Sequence, residues 1–179
     1  GKPIIVYGHS LGGLITSFYL LENQEKFKAA VISAAGVKVP DNISSTTVLL
    51  GKVLSMLAPK AGILALDTAY LSHDKSVVDT YVADPLVFHG KTPARLAAEM
   101  LRAMKNVSNT AGKITLPVFI LHGSGDKIVD PAASQMLYEK VGSKEKTLKI
   151  YEGLFHEVCN EPECFTVLAE VETWRAARV

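Results

Sequence analysis

The stretch that most constrains this chain is Pro3-Ile4-Ile5-Val6-Tyr7-Gly8-His9-Ser10-Leu11-Gly12-Gly13-Leu14. An apolar run rich in β-branched residues is cut at Gly8, a serine follows two positions later, and paired glycines open a helical pattern. The spelling reads as strand, sharp turn, helix. A serine on so tight a turn occupies strained backbone space, so its neighbours two positions away must lack side chains. On this reading Gly8 lets the strand enter the turn, while Gly12 and Gly13 let the helix pass close to the adjacent strand. The Ser10 hydroxyl is then lifted clear of the sheet edge. The backbone N–H of Leu11, at the helix N-terminus, points toward the place where an oxyanion would form.

The remaining pattern supplies a sheet around that turn. Leu14, Ile15, Phe18, Tyr19 and Leu21 fall on one broad helical face, and Glu22 to Glu25 end the run. Phe27 to Gly36 reads as a second buried strand, and strand, helix, strand at this spacing is a parallel crossover. From Val37 to Lys113 helical patterns dominate: Thr47 to Leu57, closed by Pro59; Lys75 to Val82, closed by Asp84-Pro85; and Pro93 to Val107, with Thr92 as N-cap and Pro93 at the first helical position. This block shows no strand pattern. So long a helical insertion between two sheet strands is the expected form of a cap over the sheet's carboxyl ends. Its surplus of apolar residues, among them Leu49, Leu50, Val53, Leu54, Met56, Leu57, Ile63, Leu64, Leu66, Leu96, Met100, Leu101 and Met104, suits both a cap core and a lining that accepts varied acyl chains.

The sheet resumes at Leu116 to Leu121, and the turn His122-Gly123-Ser124-Gly125-Asp126 follows. Asp130 precedes Pro131 and the helix Ala132 to Val141, so it reads as an N-cap and leaves Asp126 as the acid candidate. A strand at Thr147 to Tyr151 leads into the loop that carries His156. A last helix, Glu163 to Ala177, turns Val167, Leu168, Val171 and Trp174 inward. The expected organisation is α/β, a parallel sheet with a helical cap insertion: 1–36 and 114–179 form the sheet layers and 37–113 the cap.

Ser10, Asp126 and His156 each follow a different strand at its carboxyl end, where parallel sheets place their sites. Their types fit one division of labour. Ser10 is a nucleophile only when His156 takes its proton, and Asp126 orients the imidazole and stabilises its charged form. His9 shapes the pocket beside the nucleophile, and His73, His89 and His122 read as structural. Cys159 and Cys164 are too few for a disulfide framework and lack a second ligand pair for zinc. No metal or organic cofactor is expected.

The 179 residues suffice for one substantial core, and a net charge of +1 gives no field to attract nucleic acid. Apolar runs are broken well before the roughly 18 consecutive residues that a membrane span requires. The chain opens with Gly1 directly on a strand that should be central, so it is expected to be the C-terminal part of something longer.

The motif Gly8-His9-Ser10-Leu11-Gly12-Gly13, the turn His122 to Asp126, and Tyr151-Glu152-Gly153-Leu154-Phe155-His156-Glu157 with Asn160-Glu161-Pro162-Glu163 resemble the monoacylglycerol lipase and lysophospholipase family of α/β-hydrolases, within the serine aminopeptidase-like superfamily. The cap segments Leu71 to Asp74, Val78-Asp79 and Asp84-Pro85-Leu86 are similar to its lid. The resemblance implies the α/β-hydrolase fold and a serine esterase that removes a fatty acyl chain from a glycerol monoester. It makes Ser10, Asp126 and His156 the triad and Leu11 N–H one oxyanion donor. Lysophospholipase, general carboxylesterase and aminopeptidase-like activities are the enzymatic alternatives, and a catalytically silent fragment or binding protein is the non-enzymatic one. The implied partner is a small lipophilic ester, with transient membrane-surface contact through the cap and a cytoplasmic or membrane-associated rather than secreted location. Family members carry further strands before the elbow and a His-Gly loop that supplies the second oxyanion donor. Neither stands in this sequence, so the elbow strand is expected to have a bare edge and uncovered apolar faces, compromising both folding and turnover.

Overall fold

The computed structural model of the chain describes residues 2–40 and 44–178. Two strands spelled almost without polar residues, Ala29–Ser33 (β2) and Val118–Gly123 (β5), are buried at every position, as strands covered on both faces must be. Ile5–His9 (β1) pairs parallel with β2, and Lys146–Tyr151 (β6) pairs parallel with β5, giving the order β1-β2-β5-β6. In register, Gly8 lies beside Ile32, Ile32 beside Ile120 and Ile120 beside Leu148. All four strands therefore deliver their carboxyl ends to one edge.

Side-chain alternation divides the core into two layers. Ala30, Ile32, Val118 and Ile120 face Leu14 and Leu20 of Leu11–Asn23 (α1), Met104 and Val107 of Ala94–Thr110 (α4), and Ala133 and Leu137 of Ala132–Lys140 (α5). Val31, Phe119 and Leu121 face the opposite way, toward Val158 and toward Val167 of Cys164–Ala176 (α6), whose Trp174 ring lies 5.6 Å from that of Phe119. The outcome is an α/β sandwich with helices on both faces of a parallel sheet. Among the described strands β1 lies at the edge, and Ile4 and Tyr7 are exposed there.

Helix α1 turns to the sheet a different face from the one its apolar pattern marks. Gly13, Leu14, Thr16, Ser17 and Leu20 are buried, whereas Ile15, Phe18 and Tyr19 are exposed. Close approach decides the rotation: a Cβ on Gly13 would stand 2.6 Å from Ala35 Cβ, so the smallest residues take the contact and the bulky ones point away. Gly12 does not share this duty, since an added Cβ there meets nothing within 4 Å. Leu168 of α6 is likewise exposed rather than inward, because Val167, one position earlier, takes the place against the sheet.

The block after Gly36 contains Ser45–Leu57 (α2), Lys75–Ala83 (α3) and α4, and its residues 41–43, like Gly1 and Val179, lie outside the described residues. It is not free of strands: Gly62–Leu64 (β3) pairs antiparallel with Thr92–Pro93 (β4). Thr92 is thus a strand residue rather than an N-cap, and Pro93 occupies the cap position of α4 without a side-chain bond. The first amides of α4 find main-chain partners instead, Ala94 N–H donating to Ala61 O at 2.8 Å and Arg95 N–H to Pro59 O at 3.1 Å. Strands this short carry no periodicity of their own, and only their pairing defines them. Met104 is buried in the sheet core with Met100 packed against it, so these two belong to the sheet's core, whereas Leu101 also borders a cavity between α2 and α4, and Leu49, Leu50, Met56 and Leu57 of α2 stand exposed.

Candidate active site

Because β1 ends at His9 and α1 begins at Leu11, Ser10 alone makes the turn between them. Its backbone has φ 53 and ψ −120, a region that a residue with a side chain enters at about 1–3 kcal/mol. The strain is held from both sides. Ser10 N–H donates to Ser33 O at 2.9 Å, and Ser10 O accepts from Leu14 N–H at 3.1 Å. A Cβ on Gly8 would stand 2.9 Å from Thr16 Cβ, so the helix can fold back over the strand only where that residue has no side chain.

The turn aims Ser10 at a histidine that arrives from the other end of the sheet. Ser10 Oγ lies 2.8 Å from His156 Nε2, and His156 Nδ1 lies 2.6 Å from Asp126 Oδ2. An ionised carboxylate only accepts, so Nδ1 carries the hydrogen, and Nε2 is left to accept from the serine hydroxyl. Asp126 itself is enclosed. Its Oδ1 accepts from Ile128 N–H at 2.7 Å and Val129 N–H at 3.0 Å, and its Oδ2 also receives His122 Nε2 at 2.9 Å. Burial alone would raise its pKa, but the hydrogen bonds from His122 and His156 outweigh burial and hold the carboxyl well below its ordinary 3.8.

His9 stands beside His156, their ring centroids 4.7 Å apart and the His9 Nδ1 3.1 Å from Ser33 Oγ. Burial, reinforced by the neighbouring His156, lowers its pKa from 6.5 to about 4, which keeps a second positive charge away from the pair. Leu11 is the first residue of α1, with its amide directly after the serine. Asp130 lies outside the group and accepts from Ala132 N–H at 2.9 Å, at the start of α5. Cys159 and Cys164 are free thiols, and burial raises the pKa of Cys159. Among the described residues no cluster of three His, Cys, Asp or Glu side chains could hold a metal ion.

Two supporting residues go beyond the sequence pattern, which marks His122 only as structural and gives Glu161 no role of its own. His122 is wholly buried on Asp126, and its polar side chain in an otherwise apolar strand, four residues before the acid, was the available signal. The second is Glu161, whose buried carboxylate receives Phe155 N–H at 2.6 Å, His73 N–H at 2.9 Å, His73 Nδ1 at 3.1 Å and Ser72 Oγ at 3.0 Å. It fastens the segment before α3 to the loop of His156. Backbone pairing completes the seam, with His156 N–H donating to Tyr70 O at 3.3 Å and Glu157 N–H to Leu71 O at 2.8 Å. Glu161 left no comparable local trace, because its partners at 72 and 73 are remote in the chain.

The glycines of the acid turn bring this loop close. A Cβ on Gly123 would overlap the carbonyl oxygens of Leu154 and Phe155, and one on Gly125 would lie 3.1 Å from the Phe155 ring. The His156 loop therefore rests on bare backbone where β5 ends.

A family model described as serine aminopeptidase, S33, matches residues 1–163. The chain is 39% identical over 172 residues to a monoacylglycerol lipase of Mycolicibacterium smegmatis, covering 96% of the chain and 61% of that protein. It is 34% identical over 180 residues to a monoglyceride lipase of Rattus norvegicus, covering 99% of the chain and 59% of the relative. The crystal structure of Paleococcus ferrophilus monoacylglycerol lipase superposes with a TM-score of 0.90 at 28% identity, over the whole chain and 70% of that protein. The chain thus spans about 60% of the length of the two sequence relatives.

Proposed function

Since the chain belongs to the serine aminopeptidase S33 family, we propose that it carries the nucleophile, acid and base of a serine hydrolase that cleaves carboxylic esters, with a fatty acyl monoester of glycerol as substrate. The observation that carries this reading is the single imidazole of His156, within hydrogen-bond distance of Ser10 Oγ on one side and Asp126 Oδ2 on the other.

In the proposed reaction Ser10 Oγ attacks the ester carbonyl carbon as His156 Nε2 takes the hydroxyl proton. Asp126 stabilises the resulting imidazolium, and the Leu11 amide receives the oxyanion. His156 then returns the proton to the departing glycerol oxygen, leaving an acyl-Ser10 ester. Water enters by the same route in reverse, His156 taking its proton as it attacks, and the fatty acid leaves with Ser10 restored. The strain at Ser10 serves this by presenting Oγ without a reorganisation step.

Two features support a neutral lipophilic substrate. The named relatives are lipases of monoacylglycerols, and the block proposed as the cap, residues 37–113, presents exposed Leu49, Leu50, Met56, Leu57, Leu86 and Phe88, a surface suited to contact with lipid. An aminopeptidase would need a carboxylate to anchor the substrate's ammonium. The two buried carboxylates of this network, Asp126 and Glu161, already have their oxygens filled by protein donors.

The test is covalent labelling by a fluorophosphonate, followed by release of glycerol from 1-oleoylglycerol, with Ser10→Ala as control. Labelling confined to Ser10 and hydrolysis lost in Ser10→Ala are expected. A folded protein whose Ser10 stays unlabelled overturns the reading.

A further inference from the structure

Asp126 Oδ2 faces two imidazoles. His156 reaches it from the loop after β6, and His122, the fifth residue of β5, reaches it from beneath. His122 is fully buried, with Nδ1 2.7 Å from Ser134 Oγ on α5 and Nε2 2.9 Å from Asp126 Oδ2 and 3.0 Å from Val129 O. Both groups facing Nε2 are acceptors, so that nitrogen carries the hydrogen, and Nδ1 is left to accept from the Ser134 hydroxyl. Asp126 and Val129 O thus fix the tautomer, and the Ser134 hydroxyl, which can donate or accept, satisfies the nitrogen left over.

We propose that His122 is a positioning residue for the reaction: its Nε2–H holds the Asp126 carboxylate in line with His156 and draws off part of the negative charge that His156 would otherwise feel. The proposal rests on the assignment of Ser10, Asp126 and His156 as the triad. Four donors surround the carboxylate, two per oxygen, and only one of them is the base. Each additional donor weakens the pull of Oδ2 on the His156 Nδ1 proton, and so lessens the advantage of the imidazolium over the neutral ring. A base must be neutral before it can take the Ser10 proton, so a bare carboxylate would hold it charged at a pH where it should act.

The groups facing His156 are few. Ser10 and His9 approach from the elbow, Asp126 with His122 behind it from the end of β5, and the Tyr70 carbonyl from the segment before α3. Glu157 follows it in its own loop, and Glu161 acts one residue away through Phe155 N–H. Asp126 is the charged side chain hydrogen-bonded to the ring among the described residues, so a change in its charge distribution should register directly on His156.

Imidazole nitrogen NMR of the full chain, recorded against pH in the wild type and in His122→Phe, His122→Gln and Ser134→Ala, reads this effect without a substrate. In His122→Phe the ring volume stays but the donor is gone, and the midpoint of His156 should rise. The Gln side chain returns an N–H near the former Nε2 and should restore most of the shift. Ser134→Ala, which leaves Asp126 and Val129 O facing Nε2, should keep the midpoint near that of the wild type. The acid limb of kcat/KM for an ester should follow the same order, whereas a merely structural role would lower Tm and leave His156 in place.

A His156 midpoint that is unmoved or lower in folded His122→Phe overturns the proposal. If that variant does not fold, His122→Leu, which removes the same donor, takes its place, and an unmoved or lower midpoint there overturns the proposal. Should the wild type hydrolyse no ester, the functional reading fails while the titration still decides the part played by His122.

Discussion

Gly123→Ala tests whether the bare backbone under the His156 loop sets the geometry of the site. The new Cβ would overlap the carbonyl oxygens of Leu154 and Phe155 and stand 2.6 Å from the Leu154 carbonyl carbon, whereas ordinary contact begins at 3.4 Å. The obstacle is main chain on both sides, so no rotamer change relieves it. Either β5 sinks into its two packed faces or the loop lifts by about 1 Å, and the loop, which lies outside the sheet's hydrogen-bonded ladder, should give way first. Lifting it draws His156 away from both Ser10 and Asp126, and a displacement of about 1 Å can reduce the rate roughly 100-fold. Overpacking of this kind also destabilises by about 1–3 kcal/mol. The assay is kcat/KM for a short-chain p-nitrophenyl ester alongside the calorimetric Tm, with Gly12→Ala as the steric control. A kcat/KM and Tm for Gly123→Ala that match the wild type would refute the reasoning.

Three further outcomes follow from the same geometry. Gly12→Ala should leave Tm unchanged or raise it, since the added Cβ meets nothing within 4 Å and alanine is favoured over glycine inside a helix by about 1 kcal/mol; Gly13→Ala, aimed at Ala35, should lower it. Glu161→Ala leaves Phe155 N–H and His73 N–H without their acceptor and should destabilise by about 3 kcal/mol. Fluorophosphonate labelling should slow in that variant as the His156 loop loosens, and Glu161→Gln should recover part of both losses. His9 has a folded pKa of about 4 against 6.5 unfolded, so the unfolded chain binds the extra proton between those values. Stability is therefore intact above pH 6.5 and falls as pH drops toward 4. His9→Gln should remove about 2 kcal/mol of the difference between urea unfolding at pH 7 and at pH 4.5.

The Glu161 seam gives the block after Gly36 a mechanical link to His156. The segment Tyr70 to His73 pairs by main chain with His156 and Glu157, its His73 ring stacks on Phe155 at 3.6 Å, and one carboxylate ties the two segments together. A buried carboxylate is tolerated where donors fill its lone pairs, and here all of the donors come from those two segments. The arrangement places the imidazole by a contact between parts of the chain that the sequence separates widely.

The sequence by itself determined the elements that bear the site. Gly8, Ser10 and Gly13 specify a turn that only one order of strand and helix can satisfy, and the apolar runs Ala29 to Ile32 and Val118 to Leu121 require a sheet covered on both faces. Local sterics and apolar burial act over a few residues, so they are written in consecutive letters. Tertiary structure alone decided which face of α1 meets the sheet, because the closest approach at Gly13 outweighed the apolar pattern of Ile15, Phe18 and Tyr19. It also decided the β3–β4 pairing that turned Thr92 from a cap into a strand residue. The second imidazole on Asp126 and the four donors on Glu161 belong to the same class. Each of these depends on distances between backbones that meet only after the chain has folded, and a polar side chain acquires its partner, and with it its role, at that point.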